Sequence, residues 1–167
     1  MAKPNADTPL YPTHVMSGSV DNLLFHDATV KQWKSKGYLP AAMTPDGVSG
    51  RTMWWSERQI HAIALLAEMA SLIPHVPLRS LAGKAWFMRS RRPHALLFTF
   101  GQVWRECRTP EKLLQGISDW HAQDWSFTII NCAGIRKRVE LTLAAHRQFY
   151  TAEWRRKQKA ARSAVNV

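Results

Sequence analysis

The chain has 167 residues, of which 46% are hydrophobic and 21% are charged, a composition that predicts a globular protein with a buried core. Its 23 lysines and arginines outnumber 12 acidic residues, and the net charge of +11 favours a polyanionic partner. No apolar run approaches the roughly 18 residues that cross a bilayer, so the sequence excludes a membrane-spanning protein.

The N-terminal part predicts an arm followed by two short helices. Residues 1–12 are rich in proline and small polar residues, which predicts a flexible arm. Ser17 or Ser19 can cap a first helix, and Asp27 can cap a second that ends at Gly37, as a C-terminal glycine favours. The second helix can pack through one side and leave the other available to a ligand.

A hairpin and two further helices are predicted next. Residues 38–55 have apolar ends around a centre rich in Pro, Gly, Asp and Ser, which is typical of a β-hairpin, or wing. Ser56 begins the capping sequence S-E-R-Q, and the apolar spacing after it predicts a helix as far as Pro74. Another helix begins at Pro77 and ends at a basic cluster before Pro93, where we expect a domain boundary.

The C-terminal part combines strands and helices. Residues 96–100 and 125–132 are β-prone, and a helix capped by Thr109 is predicted between them. From Ile135 a helical period continues into the basic end of the chain.

The expected fold class is therefore α+β, a winged helix-turn-helix followed by a small α+β part that ends in a long basic helix. The predicted division is a flexible arm over 1–12, a DNA-binding domain over 13–92, a dimerisation or effector domain over 93–155 and a basic tail over 156–167.

The order of elements in the first 90 residues resembles the MerR family of winged helix-turn-helix proteins. The strongest match is T-V-K-Q-W-K-S-K-G-Y-L-P at residues 29–40, where the family's recognition helix reads roughly T-I-R-Y-Y-E-x-x-G-L-L-P. A second stretch, S-G-R-T-M-W-W-S-E-R-Q-I, is similar to the family's exit from the wing. The resemblance covers residues 16 to about 88. It implies a recognition helix in the major groove and a wing on the DNA backbone.

The matched helix supplies the candidate DNA-binding residues. Lys31 and Gln32 are the predicted base readers, because lysine and glutamine pair with guanine and adenine edges in the major groove. The candidates for backbone contact are Thr29, Lys34, Lys36 and Arg51, with His26 in the preceding turn as a secondary one. The chain departs from the family at Gln32, which replaces a tyrosine, and at Lys34, which replaces an acid. A solvated helix face is the alternative interpretation of these residues.

A second register of the family motif competes with the first. G-V-S-G-R-T-M-W-W-S-E-R also resembles the start of the recognition helix, and would make Thr52 the residue that opens it. We reject this register because no G-L-L-P and no wing follow.

The predicted function is a sequence-specific transcription regulator that binds double-stranded DNA as a homodimer on a palindromic operator. A small-molecule effector and RNA polymerase are further candidate partners. The family's usual dimerisation helix would be interrupted at Pro93, which leaves the dimer interface open. The alternative function is an architectural, nucleoid-type protein that binds DNA through charge with little base readout.

The sequence predicts neither an enzyme nor a cofactor or metal site. In the C-terminal part, Asp119 and His121 form the one close acid–histidine pair, and spacing alone is a poor argument for catalysis. Cys107 and Cys132 lack a zinc-binding spacing and are expected to be buried apolar residues. No signal peptide opens the chain, so we expect a reduced, cytoplasmic and nucleoid-associated protein.

Overall fold

In the computed structural model of the protein, the described residues are 10–12, 27–39, 53–88, 91–99, 103–123 and 125–145. Within them, five helices and two small antiparallel sheets form a mixed structure, which confirms the predicted α+β class. No helix in this part of the chain is both long and apolar enough to span a bilayer. The predicted first helix, capped by Ser17 or Ser19, and the centre of the predicted wing lie outside the described residues.

The chain divides into two compact units. The described residues of Met1–Ile60 and Glu140–Val167 belong to one unit, and His61–Val139 is the other. This division differs from the predicted boundary before Pro93, which falls inside the second unit.

The first unit contains a two-stranded sheet that the sequence did not predict. Strand β1, Leu10–Pro12, pairs antiparallel with β2, Trp54–Ser56, so that Tyr11 lies opposite Trp55 and both are buried. The prediction of a flexible arm is therefore wrong for its last three residues, because pairing and burial of the Tyr11 ring hold them in place. Trp54 is only half-buried, as expected for adjacent residues on opposite faces of a strand.

Strand β2 also corrects the predicted hairpin and excludes the second register of the family motif. Its partner is β1, whereas the predicted partners Tyr38 and Leu39 lie outside any strand of the described residues. Because Trp54–Ser56 is a strand and the following helix begins only at Glu57, no recognition helix opens at Thr52.

Helix α1, Asp27–Ser35, ends as predicted at Gly37. The amide of Tyr38 donates to the Trp33 carbonyl at 2.9 Å, and the amide of Gly37 donates to the Lys34 carbonyl at 3.0 Å. These two bonds form a Schellman motif, which requires a left-handed residue at its centre. Gly37 occupies that position with φ of 72°.

Helix α2, Glu57–Leu72, begins with the predicted capping box. The Gln59 side-chain oxygen accepts from the Ser56 amide at 2.8 Å, and the Ser56 hydroxyl accepts from the Gln59 amide at 3.4 Å. Helix α3, Leu78–Met88, begins one residue after the predicted start at Pro77.

The second unit is built around a three-stranded antiparallel sheet. Its order is β4-β3-β5, with β3 at Ala95–Thr99, β4 at Trp104–Cys107 and β5 at Phe127–Ile130. Strand β5 falls within the predicted β-prone run 125–132, and β3 overlaps the predicted run 96–100 but begins one residue earlier. All five residues of β3 are buried, so both faces of the central strand are covered.

One face of this sheet packs against α4, Pro110–His121. The helix begins at the predicted cap, where the Thr109 hydroxyl accepts from the Lys112 amide at 3.3 Å. A β-carbon at Gly116 would lie 2.7 Å from Leu97 Cδ1, so a larger residue here would require the Leu97 side chain to shift.

The last described helix, α5, covers residues 132–145. The Asn131 side chain accepts from the Gly134 amide at 2.8 Å and caps its first turn. Ile135, Val139 and Leu143 are buried, which confirms the predicted helical period over this range. The predicted basic continuation lies outside the described residues.

We expect Gly37→Ala to lower the free energy of unfolding by about 1 kcal/mol, because alanine disfavours the left-handed conformation that ends α1. The open space around Gly37 means that a clash would not contribute. Gly83→Ala is the matched control: it also faces open space, but lies inside α3. There alanine should stabilise the helix by roughly 0.5 to 1 kcal/mol. Urea unfolding measures both, and an equal effect of the two substitutions would contradict this account of Gly37.

The two cysteines should resist alkylation in the folded protein. Cys107 and Cys132 are free and buried, as predicted, and burial raises the pKa of both thiols, that of Cys132 to about 12. Because the thiolate is the reactive form, iodoacetamide at pH 8 should modify neither residue in the folded state and both in guanidinium chloride. Mass spectrometry of the labelled protein counts the modified thiols. Labelling of the folded protein at the rate of an unfolded control would show that burial does not protect them.

Candidate nucleic-acid interface

Helix α1 has one buried side and one exposed side. Val30 and Trp33 are buried, while Lys31 and Gln32 are exposed. At roughly 3.6 residues per turn, these two pairs project from opposite sides of the helix. The apolar pair is buried, and the polar pair is exposed at the surface.

The other predicted contact residues occupy the borders of this exposed side. Lys34 is exposed on the flank next to Val30, and Thr29 is half-buried on the other flank. Lys36 is exposed in the turn that follows the helix. Arg51 and His26 lie outside the described residues, so the structure brings together five of the seven predicted residues and leaves these two untested.

The charge on α1 is positive towards its C-terminal end. Asp27 opens the helix, and Lys31, Lys34 and Lys36 follow. The base in the last turn, Lys34, complements the helix dipole. Part of this charge therefore stabilises the helix itself, which is the structural alternative to DNA contact.

The backbone groups at the end of α1 take part in several hydrogen bonds. The Gln32 carbonyl accepts from the Lys36 amide at 3.1 Å and from the Ser35 hydroxyl at 2.8 Å. Together with the Schellman motif, these bonds hold the backbone of the last turn, which carries Gln32 and follows Lys31. An exposed ammonium and carboxamide on a rigid helix can donate hydrogen bonds to base edges in a major groove.

In the acid–histidine pair Asp119 and His121, the carboxylate of Asp119 makes structural contacts. The Asp119 carboxylate accepts from Gln115 Nε2 at 2.8 Å and from Arg105 Nη1 at 2.7 Å. These hydrogen bonds from Gln115 and Arg105 hold the pKa of Asp119 below its ordinary value. The contacts join α4 to β4 and account for the position of the carboxylate, whereas His121 is exposed at the end of α4.

A second group of cations, without a role predicted from the sequence, lies in the unit His61–Val139. Lys84 and Arg91 lie against the ring of Phe87 on α3, and Lys84 also lies against Trp104 on β4. The signal was an alternation of aromatic and basic residues between positions 84 and 108. It is spread over two elements that only the fold brings together.

The chain matches no protein-family model, and no curated protein matches it either. Function is therefore inferred from the residues and their arrangement.

Proposed function

We propose that the protein is a sequence-specific transcription regulator of double-stranded DNA, with α1 as a recognition helix of the MerR-type winged helix-turn-helix. The observation that carries the proposal is the exposure of Lys31 and Gln32 on the side of α1 opposite the buried Val30 and Trp33. A recognition helix needs this division, since it must be held by its own domain while it projects polar side chains into the groove.

The hydrogen bonds that hold the end of α1 and strand β2 support the same proposal. Base readout requires side chains whose backbone does not shift on binding, and α1 ends in a hydrogen-bonded motif at Gly37. Strand β2, which follows residues 40–52, is held by pairing with β1 and leads directly into the capping box of α2. The described segments on both sides of residues 40–52 are thus held by hydrogen bonds.

The charge of the protein supports a DNA partner. The net charge of +11 favours association with a polyanion through release of counterions. In the proposed complex Lys31 and Gln32 contact base edges, while Thr29, Lys34 and Lys36 contact phosphates. Arg51 is the proposed wing contact and His26 a secondary one. The proposal includes a homodimer on an operator with two-fold symmetry, with a small-molecule effector or RNA polymerase as further partners.

The same charge also favours a second candidate, an architectural protein that binds DNA with little base readout. Such a protein shows steep salt dependence and a small ratio of specific to non-specific affinity. The two candidates differ in whether the identity of the side chains on α1 matters, beyond their charge.

Selection from random duplex DNA should enrich a motif with two-fold symmetry for the wild type, and Lys31→Ala with Gln32→Ala should abolish that enrichment. The dissociation constant for the selected motif should rise about tenfold to a hundredfold, because each pair of base contacts is lost. The matched control is Lys137→Ala with Gln123→Ala, which removes the same residue types from exposed positions of the second unit.

Loss of the motif in the double variant but not in the control establishes readout through α1. A motif that survives in the double variant would reject α1 as the recognition helix. If no motif is enriched by the wild type, and binding depends on salt alone, the architectural candidate is correct.

Lys34→Ala should separate phosphate contact from base contact. We expect it to weaken binding by a similar factor on every sequence and to lower the salt slope of the binding constant by about 1. Gln32→Ala should instead relax the preference at one base pair and leave the slope unchanged. Titrations at several salt concentrations, on the selected motif and on a scrambled duplex, measure both effects. A sequence-dependent loss with Lys34→Ala would assign base contact to that residue.

A further inference from the structure

An aromatic–cation cluster lies where α3 meets β4 in the unit His61–Val139. It combines two rings, three cations and one carboxylate. Its members are Lys84, Phe87, Arg91, Trp104, Glu106 and Arg108.

The cations contact the aromatic rings directly. The Arg91 guanidinium carbon lies 4.6 Å from the centre of the Phe87 ring. The Lys84 ammonium lies 5.9 Å from the centre of Phe87 and 5.3 Å from that of Trp104. These distances fall within the range of cation–π attraction, so the rings hold positive charge together at this surface.

A single carboxylate lies among the three cations. Glu106 Oε2 accepts from Arg91 Nη1 at 2.9 Å, and Glu106 Oε1 lies 3.5 Å from Arg108 Nε. The Glu106 side chain is largely buried, whereas those of Arg91 and Arg108 remain 45% and 73% exposed. The carboxylate therefore orients the guanidinium groups, and the cluster keeps an excess of two positive charges.

Stabilisation of the fold explains only part of this arrangement. The contacts of Lys84 with Trp104, and of Arg91 with Glu106, join the region of α3 to β4. They leave Phe87 54% exposed and the Arg108 side chain 73% exposed. Desolvation lowers the pKa of Lys84, Glu106 opposes the shift and Arg91 adds to it. A further anion at this surface would favour the charged ammonium.

We propose that the aromatic–cation cluster binds unpaired nucleotides of single-stranded nucleic acid, with phosphates on Lys84, Arg91 and Arg108 and a base stacked on Phe87. An exposed ring beside a cationic surface is the combination with which proteins hold single strands. The faces of bases in a duplex are covered by their neighbours, so duplex DNA can use the cations but offers no base to Phe87. An acidic peptide likewise supplies charge without a planar ring. The proposal goes beyond duplex readout by α1.

The test is binding of the full-length protein to a labelled oligothymidine of roughly a dozen nucleotides, measured by fluorescence anisotropy. We expect Phe87→Ala to weaken binding about tenfold, since each stacked base contributes strongly in such sites. Phe87→Trp should retain binding and Phe87→Leu should not, because stacking needs an aromatic ring. The matched control is Leu114→Ala on α4, which removes a side chain that is 68% exposed.

Charge is tested separately. Arg108→Gln should weaken oligothymidine binding and reduce its salt dependence, while Lys137→Gln, an equal loss of charge elsewhere in the unit, should have a smaller effect. Thermal unfolding of each variant shows that the fold is retained. Phe87→Leu and Phe87→Trp provide the stacking comparison if Phe87→Ala lowers the melting temperature.

Two outcomes would overturn the proposal. One is equal affinity of the wild type, Phe87→Ala and Leu114→Ala for oligothymidine. The other is displacement of oligothymidine by polyglutamate with equal efficiency from the wild type and from Phe87→Leu, which would make the cluster a surface for acidic partners. Lys31→Ala with Gln32→Ala should leave oligothymidine binding unchanged, so failure of this proposal and failure of α1 as a duplex reader are distinguishable.

Discussion

The burial of strand β3 on both faces constrains the rest of the second unit. Five consecutive residues, Ala95–Thr99, are buried, which requires a layer of structure on each side of the sheet. On one side Gly116 of α4 lies close to Leu97. On the other side the Phe98 ring lies 4.5 Å from that of Trp104, which in turn contacts Lys84 of α3. The aromatic–cation cluster is therefore a consequence of covering this second face.

The alternation along β4 distributes its polar residues between the two layers. Arg105 points to the α4 side and pairs with Asp119 at 2.7 Å. Trp104 and Glu106 point to the opposite side and meet Lys84 and Arg91. Each charged residue of the strand thus has a partner of opposite charge, as a partly buried charge requires.

The stability of helix α1 depends on its buried side chains and on the hydrogen bonds at its end. A helix of nine residues is marginal on its own, so burial of Val30 and Trp33 and the Schellman motif at Gly37 must hold it. The same anchoring leaves Lys31 and Gln32 exposed.

The two proposed surfaces differ in chemistry. The one on α1 offers donors suited to base edges of a duplex, and the cluster around Phe87 offers a ring suited to an unpaired base.

Local signals in the sequence were sufficient to predict most of the described helices and the residues at which they begin or end. Thr109, the Ser56 and Gln59 pair and Gly37 act on backbone groups within a few residues, so they could be recognised without the fold. The choice of Lys31 and Gln32 as exposed residues followed from the helical period and the buried positions of Val30 and Trp33.

Only the tertiary structure decided the pairings between distant segments. Strand β1 looked like a flexible arm because its partner, Trp54–Ser56, lies more than forty residues away. Strand β4 carries Arg105 and Glu106 in place of an apolar pattern, and its charges are satisfied only by Asp119 and by Arg91. The proposed surface around Phe87 could not be predicted from the sequence for the same reason. A side chain's environment is set by all the segments packed against it, and the sequence by itself specifies mainly those nearby in the chain.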